Sequence, residues 1–230
     1  MTLQPLGSDQ PQLLEVHRFT GGPFVENGYL VRCTATDQVA VVDPGACASG
    51  MVEVLEQTGW SVQAIYLTHA HIDHVEGIPV IRRFTDALIY LHPLDRSIYD
   101  RAEESAARFG LDLREQLPPP DRSLAPGESV PVGDQQLEVR FAPGHAPGHV
   151  VLYAPKSNFA LVGDVIFKAS IGRTDLPGGD FQELMASIRS EVLTLPEDTR
   201  LLTGHGEETT VRQERLGNPF LISQVPGGFA

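Results

Sequence analysis

Short apolar runs alternate with amphipathic stretches along the chain, and most of the runs stop at a glycine or a polar turn. Leu30 to Cys33 and Gln38 to Asp43 have the composition of early antiparallel strands. Ala48 to Gln57 carries Met51, Val54 and Leu55 at helical spacing, with Gly59 as its stop. The run Val62-Gln63-Ala64-Ile65-Tyr66-Leu67 predicts a buried strand. A short helix over Glu76 to Arg83 and a strand over Ala87 to Leu91 follow. Residues 94 to 109 predict one long helix ending at Gly110, and Pro118-Pro119-Pro120 predicts a surface excursion. Strands are expected at 137–141, 150–154 and 159–163. Asp180 is placed to cap a helix carrying Phe181, Leu184, Met185 and Ile188, closed by Pro196. A strand at 200–203 and a short helix after Thr209 complete the pattern. Strands in both halves, each half followed by helices, predict two packed sheets with helices outside. Residues 1 to 13 are polar and read as a loose end. No sequence repeat is visible.

The chemistry sits where the apolar runs stop. Directly after the 62–67 run comes Thr68-His69-Ala70-His71-Ile72-Asp73-His74, four metal-binding side chains within six positions. The bland alternative is a solvated polar loop that happens to hold three histidines. Taken as extended chain, this segment would aim His69, His71 and Asp73 at one point and His74 elsewhere. Imidazole and carboxylate together suit zinc, iron or manganese, and the arrangement suits two adjacent ions better than one. Three further strand ends offer ligands. His145 lies between two Pro-Gly pairs, Asp164 follows Gly163, and His205 stands between Gly204 and Gly206. Of the two histidines in Ala142 to His149, His145 is the expected ligand and His149 a supporting residue. Asp43 is expected either to support a ligand histidine or to be a turn carboxylate. His17 is expected on an exposed strand position and His92 in a turn before Pro93.

The ordered set His69-x-His71-x-Asp73-His74, His145, Asp164 and His205, with Val41-Val42-Asp43-Pro44-Gly45 before it, resembles the metallo-β-lactamase superfamily from about Glu15 to Phe220. The segment Gly172-Arg173-Thr174-Asp175, continuing to Pro177-Gly178-Gly179, and the tail Glu214-Arg215-x-Gly217-Asn218-Pro219-Phe220 look like the short, bacterial-type members of its glyoxalase II branch. The resemblance implies an α/β fold, the four-layer αββα sandwich of two mixed sheets, in a single domain spanning 1–230. It implies two divalent ions, zinc first, with iron or manganese as substitutes. His69, His71 and His145 would hold one ion, Asp73, His74 and His205 the other, and Asp164 would bridge them. Asp73 would also orient the attacking water as a catalytic residue, and Arg173 would contact substrate. The implied reaction is hydrolysis of hydroxyacyl thioesters, S-D-lactoylglutathione above all, to D-lactate and glutathione. Longer family members carry a C-terminal helical domain that grips glutathione, and from the short tail after His205 most of that domain is expected to be absent here. Arg173 also stands where those enzymes have lysine; the bland reading of Arg173 is an ion pair with Asp175 or Asp180.

Composition narrows the alternatives. The formal charge of −13 disfavours nucleic acid as a partner, because counterion release requires a basic face. Two cysteines, Cys33 and Cys47, make no disulfide framework and read as small core residues. A basic start and a long apolar run are both missing from the N-terminal segment, so the expectation is a cytoplasmic monomer or homodimer with no membrane anchor. Other readings on the same scaffold are a mononuclear iron persulfide dioxygenase, a β-lactam hydrolase and a non-catalytic metal-binding scaffold. The lactamase branch most often carries cysteine where Asp164 stands.

Overall fold

The computed structural model describes residues 13–113 and 115–222, so most of the expected loose end at 1–13 lies outside the described residues. The first half builds one six-stranded sheet from β1 (Leu14–Gly21), β2 (Glu26–Cys33), β3 (Gln38–Val42), β4 (Ser61–Tyr66), β5 (Leu88–Leu91) and β6 (Arg122–Ser123), in that order. The strands β1, β2 and β3 are antiparallel neighbours, whereas β3 to β6 run parallel. Parallel neighbours need crossovers. Here these are α1 (Ala48–Thr58) and, between β4 and β5, α2 (Ile72–Val75) with α3 (Ile78–Phe84). The crossover to β6 holds α4 (Arg96–Tyr99) and α5 (Ala102–Arg108).

A second six-stranded sheet uses β7 (Ser129–Val132), β8 (Gln135–Phe141), β9 (Val150–Ala154), β10 (Phe159–Gly163), β13 (Arg200–Thr203) and β14 (Thr209–Thr210). Its one parallel pair is β10 with β13. Between them lie the hairpin β11 (Ile166–Phe167) and β12 (Ser170–Ile171) and helix α6 (Phe181–Ser187). The described chain ends with α7 (Val211–Gly217) and α8 (Pro219–Ile222).

Side chains on a strand alternate between faces, and both faces here are covered, so the strands read as continuous apolar runs. Ala40, Val42, Ala64 and Tyr66 meet Leu137, Val139, Leu152 and Leu161 between the sheets. Their neighbours Val39, Val41 and Ile65 pack outward on Met51 and Leu55 of α1 and Ile78 and Ile81 of α3. On the far side Val151, Ala160, Val162 and Leu201 pack on Leu184, Met185 and Val211. The result is the four-layer αββα sandwich. Truncating a fully buried core side chain such as Leu161 to alanine costs about 2–5 kcal/mol.

Helix α1 stops as its sequence predicts, with Gly59 left-handed at φ 71° and its N–H on the Leu55 carbonyl. Asp180 caps α6 by accepting from the Glu183 N–H at 2.9 Å. The long helix expected at 94–109 is broken. A single 3-10 turn, Pro93–Asp95, precedes α4, and Arg101 leaves helical geometry before α5 starts. The Asp95 carboxylate, at the 3-10 turn, is turned into the protein and fully buried, which the apolar periodicity does not register. The helix expected at 76–83 starts later, with Gly77 as the N-cap of α3. His17 is on a strand as expected, but it is buried rather than exposed, lying under Trp60 at 5.2 Å between ring centroids. No helix of the described residues is long and apolar enough to cross a membrane.

Candidate metal centre

The C-terminal ends of β3, β4, β10 and β13 meet at one edge of the sandwich, and each delivers polar residues there. Backbone and side-chain bonds join the two sheets at this edge. The Asn27 N–H donates to the Gly204 carbonyl (2.8 Å), Tyr29 Oη to that of Thr203 (2.7 Å), and the Val150 N–H to that of Thr68 (2.8 Å).

The histidine-rich loop is not extended. His71 is the N-cap of α2, and Asp73 and His74 are already helical. The expected grouping of His69, His71 and Asp73 on one side, with His74 apart, therefore does not hold. Three candidate ligand groups exist among the described residues: His69, His71 and His145; Asp73, His74 and His205; and Asp43, His69 and His74. Asp164 stands between the first two. Its Oδ2 is 3.4 Å from both His145 Nε2 and His205 Nε2, and its Oδ1 is 3.4 Å from His74 Nε2. Asp73 Oδ2 is 3.3 Å from His205 Nε2, and His71 Nδ1 is 2.8 Å from His145 Nε2.

The hydrogen-bond network assigns the ring protons of four of these histidines to Nδ1. His145 Nδ1 donates to the Arg173 carbonyl (2.7 Å) and His205 Nδ1 to that of Phe24 (3.0 Å). His74 Nδ1 donates to Asp43 Oδ2 (3.3 Å). The Thr68 hydroxyl donates to Asp43 Oδ2 (2.6 Å), so its oxygen accepts from His69 Nδ1 (3.1 Å). Each ring thus turns its Nε2 inward. This is how histidine ligands are oriented at metal sites. Among the described residues, His69 Nε2, His74 Nε2 and Asp164 Oδ1 are buried with no hydrogen-bond partner. A buried polar atom left unpaired costs about 1–3 kcal/mol, so these atoms fit a bound cation.

Electrostatics divides the cluster in the same way. Burial, and then neighbouring imidazoles, hold the His69 pKa well below its ordinary value and push His71 down to about 3, so both rings are neutral ligands. Burial lowers His145 too. Burial opposes charge on Asp164, but the His74 ring beside it keeps the carboxyl well below the usual range. Asp73 is also lowered against burial, by His74 and His205. His205 is pushed up to about 10 against burial, by its contacts with Asp164 and Asp73. Neutral imidazoles on one side and ionised carboxylates across the middle make a site for positive charge.

Several residues behind the cluster hold it in place. Asp43, expected in support or in a turn, does both: it accepts from the Thr68 N–H (2.7 Å), with its own backbone at φ 48°. His149 acts as support as expected, accepting the Asp164 N–H on Nε2 (3.0 Å) and stacking on His69. Gly204 has no room for a side chain, since a Cβ there would lie 2.1 Å from Asp164 Oδ1. Asp95 escaped the sequence reading. Its Oδ2 accepts from the Ala70 N–H (2.9 Å) and its Oδ1 from the Gly148 N–H (2.5 Å), tying the two histidine loops together. Nothing local marks it, because both partners are remote in sequence. His92 is the expected turn residue, accepting from the Leu94 N–H and stacking on Phe141. Cys33 and Cys47 are buried and free, as expected of core residues.

The cluster forms the floor of a cavity of about 340 Å³. Phe24, Ile98, Phe109, Leu176 and Pro177 give it apolar walls, and Arg101, Arg108 and Arg173 lie around it. Arg173 makes the Asp175 ion pair anticipated for it, through Nε (2.7 Å) and a terminal nitrogen (2.8 Å); Asp180 serves α6 instead.

An αββα sandwich with an open histidine–aspartate cluster at the joined sheet edge defines a class of metal-dependent enzymes. The family model described as "Metallo-beta-lactamase superfamily" matches residues 21–205. This chain belongs to the metallo-β-lactamase superfamily. It is 34% identical to the hydroxyacylglutathione hydrolase GloC of Haemophilus influenzae over 186 residues, 80% of this chain and 88% of that protein. Among solved structures, TTHA1623 in a di-iron-bound form is 39% identical, with a TM-score of 0.81 over 89% of this chain and 99% of that one. The BLEG-1 B3 metallo-β-lactamase is 36% identical, with a TM-score of 0.82 over 90% of this chain and 99% of that one.

Proposed function

We propose that this chain is a metal-dependent hydrolase of hydroxyacyl thioesters, with S-D-lactoylglutathione as its leading substrate. The observation that carries this reading is the convergence of five imidazoles and two ionised carboxylates on the floor of an apolar-walled cavity. His69, His71 and His145 would hold one divalent ion, Asp73, His74 and His205 a second, and Asp164 would contact both. Ions held there would supply Lewis acidity and lower the pKa of a bound water to about 7. Zinc suits these ligands first, and iron or manganese also fit. Among the residues lining the cavity the one hydroxyl is that of Ser105 on α5, which pairs with no histidine, and no thiol is present. Water activation therefore accounts for the chemistry better than an acyl-enzyme does.

The chain's own residues would do the rest. Asp73 reaches the cavity with its carboxylate ionised, so it accepts a hydrogen bond from the attacking water and orients it. A thiolate leaves without a dedicated acid, and no group in the cavity is needed for that role. Phe24, Leu176 and Pro177 would exclude bulk water from the acyl group. Arg173, beside the cluster, would face the substrate once its exposed pair with Asp175 opens. The name of the GloC relative supports the thioester reading. A β-lactam is the second substrate class, favoured by the likeness to BLEG-1.

Metal content per chain and turnover on one purified sample test this reading, with His71→Ala as control. The expected result is near two ions per chain, cleavage of S-D-lactoylglutathione, and loss of both in the variant. Cleavage of a chromogenic cephalosporin without thioester cleavage would transfer the site to lactams. One iron per chain, with oxygen consumed on glutathione persulfide, would make it a dioxygenase.

A further inference from the structure

Helix α5 presents Glu104, Ser105 and Arg108 to the cavity, and Arg101, its N-cap, lines the same cavity just before the helix starts. Glu104 and Arg108 stand four residues apart on one helical face, with Ser105 beside them. Ala102 and Ala106, on another face, are buried in the apolar core and fix the rotation of the helix. A polar face is thereby aimed at a cavity whose other walls are apolar and whose floor is the His71–Asp73–Asp164 cluster.

The two guanidinium groups are available for a ligand. Arg101 uses only its Nε, on the Ser97 carbonyl (3.0 Å), and has no carboxylate partner among the described residues. Arg108 reaches Glu104 at 3.5 Å in an exposed pair, which contributes little stability. A guanidinium presents a planar fork of donors that matches a carboxylate. Arg101 and Arg108 stand at the two ends of α5, with Glu104 between them. That order, cation–anion–cation, matches a chain bearing separated carboxylates and an ammonium.

We propose that Arg101 and Arg108 form an anion subsite on α5 that holds the thiol half of the substrate, and that this half is a peptide-like, carboxylate-bearing thiol. The subsite rests on the hydrolase reading for its orientation: the thioester lies over the cluster and the carboxylates reach outward to α5. It places substrate selectivity on one short helix, away from the metal ligands.

The test compares the metal-loaded full chain with Arg101→Ala/Arg108→Ala and with Arg101→Lys/Arg108→Lys. Two substrates are used, S-D-lactoylglutathione and the lactoyl thioester of uncharged N-acetylcysteamine, together with calorimetric binding of the inert S-methylglutathione. In the alanine pair, the preference in kcat/KM for the charged substrate is expected to fall by about tenfold or more, through KM. S-methylglutathione affinity falls in parallel, and the lysine pair recovers part of both. The subsite is overturned if the alanine pair binds S-methylglutathione as tightly as the wild type does, or if the wild type does not bind it. It is also overturned if both substrates lose equally. If the wild type binds S-methylglutathione but cleaves neither thioester, the hydrolase reading fails, and the subsite stands or falls on the binding arm alone.

Discussion

His145 and Arg101 line the same cavity under opposite physical conditions. His145 is 2% exposed, its Nδ1 proton is held by the Arg173 carbonyl, and its Nε2 lies within 3.4 Å of Asp164. Arg101 is exposed and keeps one hydrogen bond, to a carbonyl on its own turn. The floor is therefore tightly held, because Asp43, Thr68 and Asp95 behind it are already committed to hydrogen bonds. The rim is not, because its charges are solvated and can exchange water for a ligand at small cost. Such a division suits an enzyme whose chemistry is fixed and whose selectivity is set by a few exposed side chains.

The sharpest way to break this contrast is at Gly204. Gly204→Ala would drive a methyl group into Asp164 and His74. Metal affinity and the proposed thioester hydrolysis should both fall by about a hundredfold while far-ultraviolet circular dichroism stays native. Retention of two ions would mean that the floor is softer than described. Asp43→Ala comes next. It removes the acceptor that orients His74 and, through Thr68, His69. A loss of about 10–100-fold in metal affinity is expected, measured by competition with a chromogenic chelator.

Metal removal bears on the folding side of the same contrast. The Nε2 lone pairs of the floor converge only in the folded chain, so ions at a hundredfold excess over Kd should add about 2.7 kcal/mol per site. A thermal scan with and without chelator should show a drop of several degrees; an unchanged midpoint would mean that the floor does not bind metal in the folded state.

Asp95 supplies the smallest and most specific test. Burial pushes its carboxyl up to about 6, although the Ala70 and Gly148 N–H groups oppose this. A carboxyl raised in the folded state favours folding fully below the unfolded value, near 4, and that advantage is lost as pH rises through the folded value, near 6. Between pH 5 and 8 the wild type should lose about 1 kcal/mol of stability relative to Asp95→Asn, measured by urea unfolding of the metal-free chains. A difference independent of pH would show that Asp95 titrates as it does in water.

Much of this was legible in the chain itself. Apolar runs mark β9 and β10, which are covered on both faces, and alternation of apolar with polar residues marks β8. The ligand-type residues fall at their ends, where side chains can converge without disturbing the core. Caps such as Gly59 and Asp180 act within one turn, so their signals are local and readable. The sequence determined which residues are available and which elements carry them. Only the tertiary structure decided how they combine. Helix α2 starts at Ile72, which separates His71 from Asp73 and pairs each with a histidine far along the chain. Asp95 is drawn inward at the start of a segment that periodicity alone reads as plain helix, because its two partners lie in distant loops. The arginine face of α5 acquires meaning only from the cavity opposite it. Local patterns encode backbone conformation over a few residues, whereas a site is a set of long-range contacts that exists only once the sheets have packed.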